Sequence, residues 1–132
     1  MLVGIGVDLM ENGRMRRELE RGAWLGRDGV FTAREISFCG RTTRPAARFA
    51  ACFAAKEATL KALGMYCRDL GMLPEIEVLF PSRRRERVIL RRRAKAEAQR
   101  LGVAHIRASL TPTREFVAAM VILEGKPERS TP

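Results

Sequence analysis

Eighteen residues, Ala46 to Leu63, constrain the fold more than any other stretch of the chain. They are rich in alanine, contain no glycine or proline, and stop at Gly64, the residue type that most readily ends a helix in a left-handed conformation. Apolar residues cover nearly every side of this helix, so it has no face to offer water and belongs inside a core. The rest of a 132-residue chain must wrap around it, and that length suffices for one domain.

The flanking segments supply the wrapping. At the start, Val3, Ile5 and Val7 alternate with Gly4, Gly6 and Asp8, the period-2 pattern of a strand. One face is aliphatic, and the other is bare glycine ending in a carboxylate. Glycine on a strand face marks close approach of another backbone or a ligand. Residues 11–22 read as a basic helical stretch. Thr32 with Glu35 forms a capping box that predicts a short helix to about Cys39, followed by a loop from Gly40 to Pro45. Glu75–Phe80 and Val88–Leu90 read as strands around a basic turn, Pro81 to Arg87. Arg93–Leu101 reads as a helix closed by Gly102. His105–Leu110 and Phe116–Leu123 read as two last strands joined at Thr111-Pro112-Thr113. This order predicts an α+β fold: a small single domain with a mainly antiparallel sheet packed on a long central helix. One domain spans residues 1–124, and residues 125–132 are expected to form a frayed tail.

Composition narrows the function classes. Hydrophobic residues make up 46% and charged residues 30%, a globular balance. No apolar run approaches the ~18 residues of a membrane span. The opening MLVGIGVDLM lacks a basic n-region and runs into Asp8 and Glu11, so it reads as a strand rather than a signal peptide. A cytoplasmic protein without a membrane partner is expected. Cys39, Cys52 and Cys67 form no CxxC pair and have no histidine spaced for zinc, which predicts reduced structural thiols. His105, the only histidine, falls in a strand and is expected to be packed. The net charge of +10 attracts polyanions of several kinds. Arg83 to Arg85, Arg87 and Arg91 to Arg93 would suit a nucleic-acid ridge, but aromatic residues at 6% are too sparse for a stacking platform.

Two carboxylates stand out. Asp8 ends an aliphatic strand, and Glu57 sits in the middle of the central helix. A buried carboxylate is costly unless it is paired or bound to a cation. Lys61, four residues after Glu57, shares its helix face and would pair with it in a purely structural role. Alternatively the two carboxylates form a hard-cation site for Mg²⁺, with Lys61 neutralising a phosphate.

The surrounding motifs bear on that choice. Gly4-Ile5-Gly6-Val7-Asp8-Leu9-Met10-Glu11 with Arg14 resembles the opening of the holo-acyl-carrier-protein synthase family. Phe31-Thr32 with Glu35 resembles its FT..E element. Arg48-Phe49, Phe53-Ala54-Ala55-Lys56-Glu57-Ala58 and Lys61-Ala62-Leu63-Gly64 resemble its RFAAKEA…KA.G core. Glu75 to Val78, Ser109 to Thr111 and Val121 to Glu124 resemble its later strands. Five blocks fall in the family's order over about residues 3–124.

The resemblance implies a 4′-phosphopantetheinyl transferase, acting in fatty-acid and other lipid biosynthesis, which moves the phosphopantetheine arm of coenzyme A onto a serine of an apo-acyl carrier protein and releases 3′,5′-ADP. It implies Asp8, Glu57 and Lys61 as catalytic residues, with Asp8 and Glu57 on Mg²⁺. Arg48, Lys61, Gly64 and Thr111 would bind coenzyme A, and Arg14, Arg17 and Arg21 would dock an acidic carrier protein. It also implies a homotrimer with active sites between subunits.

The chain departs from the family's pattern in four places. Cys52 stands where an arginine that helps hold the coenzyme commonly precedes FAAKEA. Pro112 replaces a histidine, Met65-Tyr66 replaces Thr-Gly, and Pro81 to Arg87 replaces a GKP turn. These departures keep two alternatives in view: a noncatalytic or weakly active relative that binds carrier protein, and a basic nucleic-acid-binding protein.

Overall fold

The structure is a computed structural model whose described residues are 1–65, 70–80 and 85–129. The elements are β1 (Leu2–Glu11), α1 (Asn12–Arg21), α2 (Ala33–Cys39), α3 (Pro45–Ala62), β2 (Ile76–Leu79), β3 (Arg87–Leu90), α4 (Arg92–Arg100), β4 (Val103–Pro112) and β5 (Phe116–Gly125). Short 3₁₀ turns at Ala23–Leu25 and Leu70–Glu75 were not signalled by any periodicity. No helix among the described residues is long and apolar enough to cross a membrane.

Helix α3 is the centre, as its composition requires. Proline opens it at Pro45, and Phe49, Ala50, Cys52 to Lys56, Ala58 to Leu60 and Ala62 are buried along it. On one side it meets an antiparallel sheet of order β1-β5-β4. On the other it meets α2 and the β2-β3 hairpin. Phe53 stacks on Trp24 with centroids 4.7 Å apart, and Phe49 meets Phe31 edge-on at 4.8 Å.

The glycine face of β1 explains how closely α3 and the sheet approach. A Cβ on Gly6 would lie 1.8 Å from the Ala58 carbonyl oxygen, and one on Gly4 would lie 2.1 Å from that of Ala62. Strand and helix therefore touch backbone to backbone, which only glycine permits. The aliphatic face of β1 turns the other way. Ile5, Val7 and Leu9 are more than half exposed, and Met120 of β5 is exposed beside them.

Several expectations need correction. Thr111 and Pro112 lie within β4, and the turn is built on Thr113, whose N–H donates to the Phe116 carbonyl at 2.7 Å. Pro112 is tolerated because β4 is an edge strand of its sheet. Gly125 closes β5, two residues beyond the expected end of that strand, and its N–H donates to the Met1 carbonyl at 2.7 Å. His105 is exposed rather than packed, because it lies on the outward face of β4. Cys39 and Cys52 are free and buried, whereas Cys67, Tyr66 and 81–84 lie outside the described residues.

Candidate active site

Asp8 follows Gly6 on the face of β1 that looks toward α3, and Lys61 reaches it from the last turn of that helix. The ammonium Nζ donates to Asp8 Oδ1 at 2.9 Å and to the Val7 carbonyl at 3.1 Å. Lysine is thereby drawn to the strand rather than to its own helix. The Glu57–Lys61 pair that a structural role would need does not form, and no ion pair to Glu57 exists among the described residues.

Glu57 lies one turn before Lys61 and is half-buried. Burial first, and the Asp8 carboxylate second, push its pKa above the ordinary carboxylate range, while Lys61 and Arg14 pull it down. Strand and helix thus bring two carboxylates within electrostatic reach of each other, flanked by two cations. Arg14 arrives from α1, which is anchored by fully buried Met15.

Helix α3 ends immediately beyond this cluster. Gly64 adopts φ +71 with open space around it, so the backbone conformation and not crowding requires glycine. Its N–H donates to the Lys61 carbonyl at 3.0 Å, and that of Met65 to the Leu60 carbonyl at 2.9 Å, a Schellman closure.

Other expected site residues lie elsewhere. Arg48 is thirteen residues before Lys61, roughly 20 Å along the helix. It donates to the Phe38 carbonyl at 3.1 Å and covers the Phe38 ring at 4.4 Å. Thr111 is exposed on the outer face of the sheet, two strands and roughly 10 Å from β1. Within one chain neither joins the cluster around Asp8. Arg17 and Arg21 are exposed on α1 beyond Arg14, and Arg21 lies 3.6 Å from Glu18 of its own helix.

Cys52 is a free buried thiol, as expected, but the slot it fills was also expected to hold the coenzyme. Its slot is not in contact with solvent, because that face of α3 packs on α2. The thiol donates to Glu35 Oε2 at 2.9 Å and is fully buried; desolvation first, and contacts with Cys39 and Glu35, push its pKa up. The substitution of the family's arginine therefore falls in the core of this chain.

Sequence reasoning missed what lies next to it. Lys56 is entirely buried and pairs with Glu35 Oε1, the same oxygen that accepts the Thr32 N–H at 2.8 Å. The second oxygen also takes the Val78 N–H at 2.9 Å. One carboxylate thus ties together α2, α3 and β2. The capping box explained Glu35 locally, and that hid its partner 21 residues away.

The donor set fits a hard divalent cation. Asp8 and Glu57 offer carboxylate oxygens close enough to repel one another, and such a cation between them would relieve that repulsion.

Comparisons with known proteins identify the family. The family model of the 4′-phosphopantetheinyl transferase superfamily matches residues 4–121. The chain is 40% identical over 122 residues to the holo-[acyl-carrier-protein] synthase of Moorella thermoacetica, covering 91% of this chain and 92% of that protein. It is similar, with a TM-score of 0.74 and 26% identity, to the Bacillus anthracis holo-(acyl-carrier-protein) synthase in complex with CoA (3′,5′-ADP), over 96% of this chain and 99% of that one. The Plasmodium yoelii holo-ACP-synthase shares the fold, with a TM-score of 0.79 at 24% identity, over 96% of this chain and 98% of that one. From these matches and its motifs, the chain belongs to the 4′-phosphopantetheinyl transferase superfamily, among the holo-[acyl-carrier-protein] synthases.

Proposed function

We propose that this chain transfers the 4′-phosphopantetheine group of coenzyme A to a serine of an apo-acyl carrier protein. The observation that carries the reading is the meeting of Asp8, Glu57 and Lys61 where the glycines of β1 let α3 approach. Lys61 holds one phosphate of the coenzyme and offsets its charge. Glu57 takes the proton of the carrier serine. The serine oxygen then bonds to the β-phosphorus as the bridging P–O bond of the diphosphate breaks, and 3′,5′-ADP leaves with that bonding pair. Mg²⁺, held by Asp8 and Glu57, would supply neutralisation of the diphosphate. Such transfer asks mainly for positioning and charge stabilisation, which fixed side chains at a helix end provide.

The carrier protein docks on α1. Arg14 stands near Glu57, with Arg17 and Arg21 following on the same basic helix, and an acidic partner complements them. Replacing Arg14 with alanine is expected to raise KM for carrier protein severalfold, most at low salt, with KM for coenzyme A unchanged in steady-state assays. The exposed aliphatic face of β1 and β5 supports assembly with further copies as a homotrimer, in which Arg48 and Thr111 of one copy would serve a neighbour's coenzyme. Free buried thiols support a cytoplasmic setting.

The deciding experiment incubates the chain with coenzyme A, Mg²⁺ and a panel of apo-carrier proteins and reads intact mass. Gain of one phosphopantetheine is expected. No gain on any carrier would leave a binding relative as the better reading.

A further inference from the structure

A second charged cavity, of about 710 Å³, shares no lining residue with the Asp8–Glu57–Lys61 cluster. It lies where the start of α2, the entry to β2 and the start of α4 converge. Arg27, Arg34, Arg91, Arg92 and Arg93 line it.

Two buried glutamates hold three of these arginines in place. Glu77 accepts from Arg34 at 3.3 Å, from Arg91 at 3.1 Å and from the Thr32 hydroxyl at 2.5 Å. Glu75 accepts from the Arg93 side chain Nε at 3.1 Å and from its backbone N–H at 2.8 Å. These contacts do not exhaust the arginines. A guanidinium carries five N–H donors, and the three side chains remain 45% to 63% exposed.

The remaining two arginines have no ion-pair partner among the described residues. Counting Asp28, five cations face three carboxylates among the described residues lining the cavity, an excess of positive charge there. Arg92 adds a second observation. Its φ of 48 makes it the one non-glycine residue with positive φ among those described. Glycine would sit there freely, whereas an L-residue is strained. A guanidinium is thus kept at the cavity rim against the preference of its own backbone. The N–H of Arg93, the second residue of α4, is already taken by Glu75.

We propose that this cavity binds a compact phosphoryl anion of the inorganic diphosphate class, gripped by Arg27, Arg92 and the free edges of Arg34, Arg91 and Arg93. Guanidinium forks match tetrahedral oxyanions bidentately, and several disposed around one cavity suit two linked phosphoryl groups better than one. No aromatic residue is among the described residues lining it, so it offers no platform for a nucleobase.

Isothermal titration of the full chain with inorganic diphosphate tests the proposal, with one arm run in saturating coenzyme A to separate free diphosphate from the phosphates of that coenzyme. One site per chain is expected in both arms. Arg92→Gly should weaken it about tenfold or more while thermal melting stays level or rises, since the backbone strain is relieved. Arg27→Ala, away from any secondary structure, should weaken it as well. Absence of binding at millimolar diphosphate, binding unchanged in both variants, or complete loss in coenzyme A would each overturn the assignment.

Discussion

Glu57 carries a charge that its surroundings disfavour. Burial and Asp8 together hold its pKa above the ordinary range, so the folded chain binds that proton more tightly than the unfolded chain does. Above both values the ionised carboxylate opposes folding. Glu57→Gln should therefore raise the melting temperature at pH 7–8 without divalent ions and abolish phosphopantetheine transfer; differential scanning calorimetry with the mass assay checks both. Saturating Mg²⁺ should shrink the gap in melting temperature, because it stabilises only the wild-type pair. Lys56 is the opposite kind of residue. It is fully buried, and its charge is answered by Glu35. Lys56→Met strands that carboxylate in the core and should cost about 3–5 kcal/mol in urea unfolding. Adding Glu35→Gln should recover part of the loss, and a double-mutant cycle gives the coupling between the two.

At the level of elements, β1 and α3 form the unit on which the site depends. Gly6→Ala would drive a methyl group into the Ala58 carbonyl, and is expected to destabilise the chain by about 3 kcal/mol in chemical denaturation. Transfer should fall even in the folded fraction, because the strand must retreat from the helix. Both elements were legible in the sequence because their signals are local: an alanine run closed by Gly64, and a period-2 alternation of glycine and aliphatic residues. The capping box at Thr32 was legible for the same reason, and both of its hydrogen bonds form. Long-range pairing was not. The Lys56–Glu35 bond joins residues 21 apart and the Lys61–Asp8 bond residues 53 apart, and no periodicity encodes such a choice. Cys52 misled for a related reason, since its motif position said nothing of which face of α3 it occupied. The aliphatic face of β1 gave the reverse difficulty: alternation identified it as apolar but not that it would look outward.

Over the whole molecule, the outward face of the sheet is the feature that one chain does not explain. Ile5, Val7, Leu9 and Met120 leave an apolar surface that further copies would cover. Leu9→Asp should convert the assembly to monomers in sedimentation velocity, and transfer should be lost with it even though the carboxylates and lysine are intact. Arg48 and Thr111, remote from Asp8 within a chain, would then lose the neighbouring copy on which their proposed role depends. The bare contact between Gly4, Gly6 and the carbonyls of α3 has one more consequence. Because main chain rests on main chain, the gap between the two acidic residues has no adjustable spacer. The span across which a diphosphate would fit is therefore set by main chain, and no exchange of a single side chain can retune it.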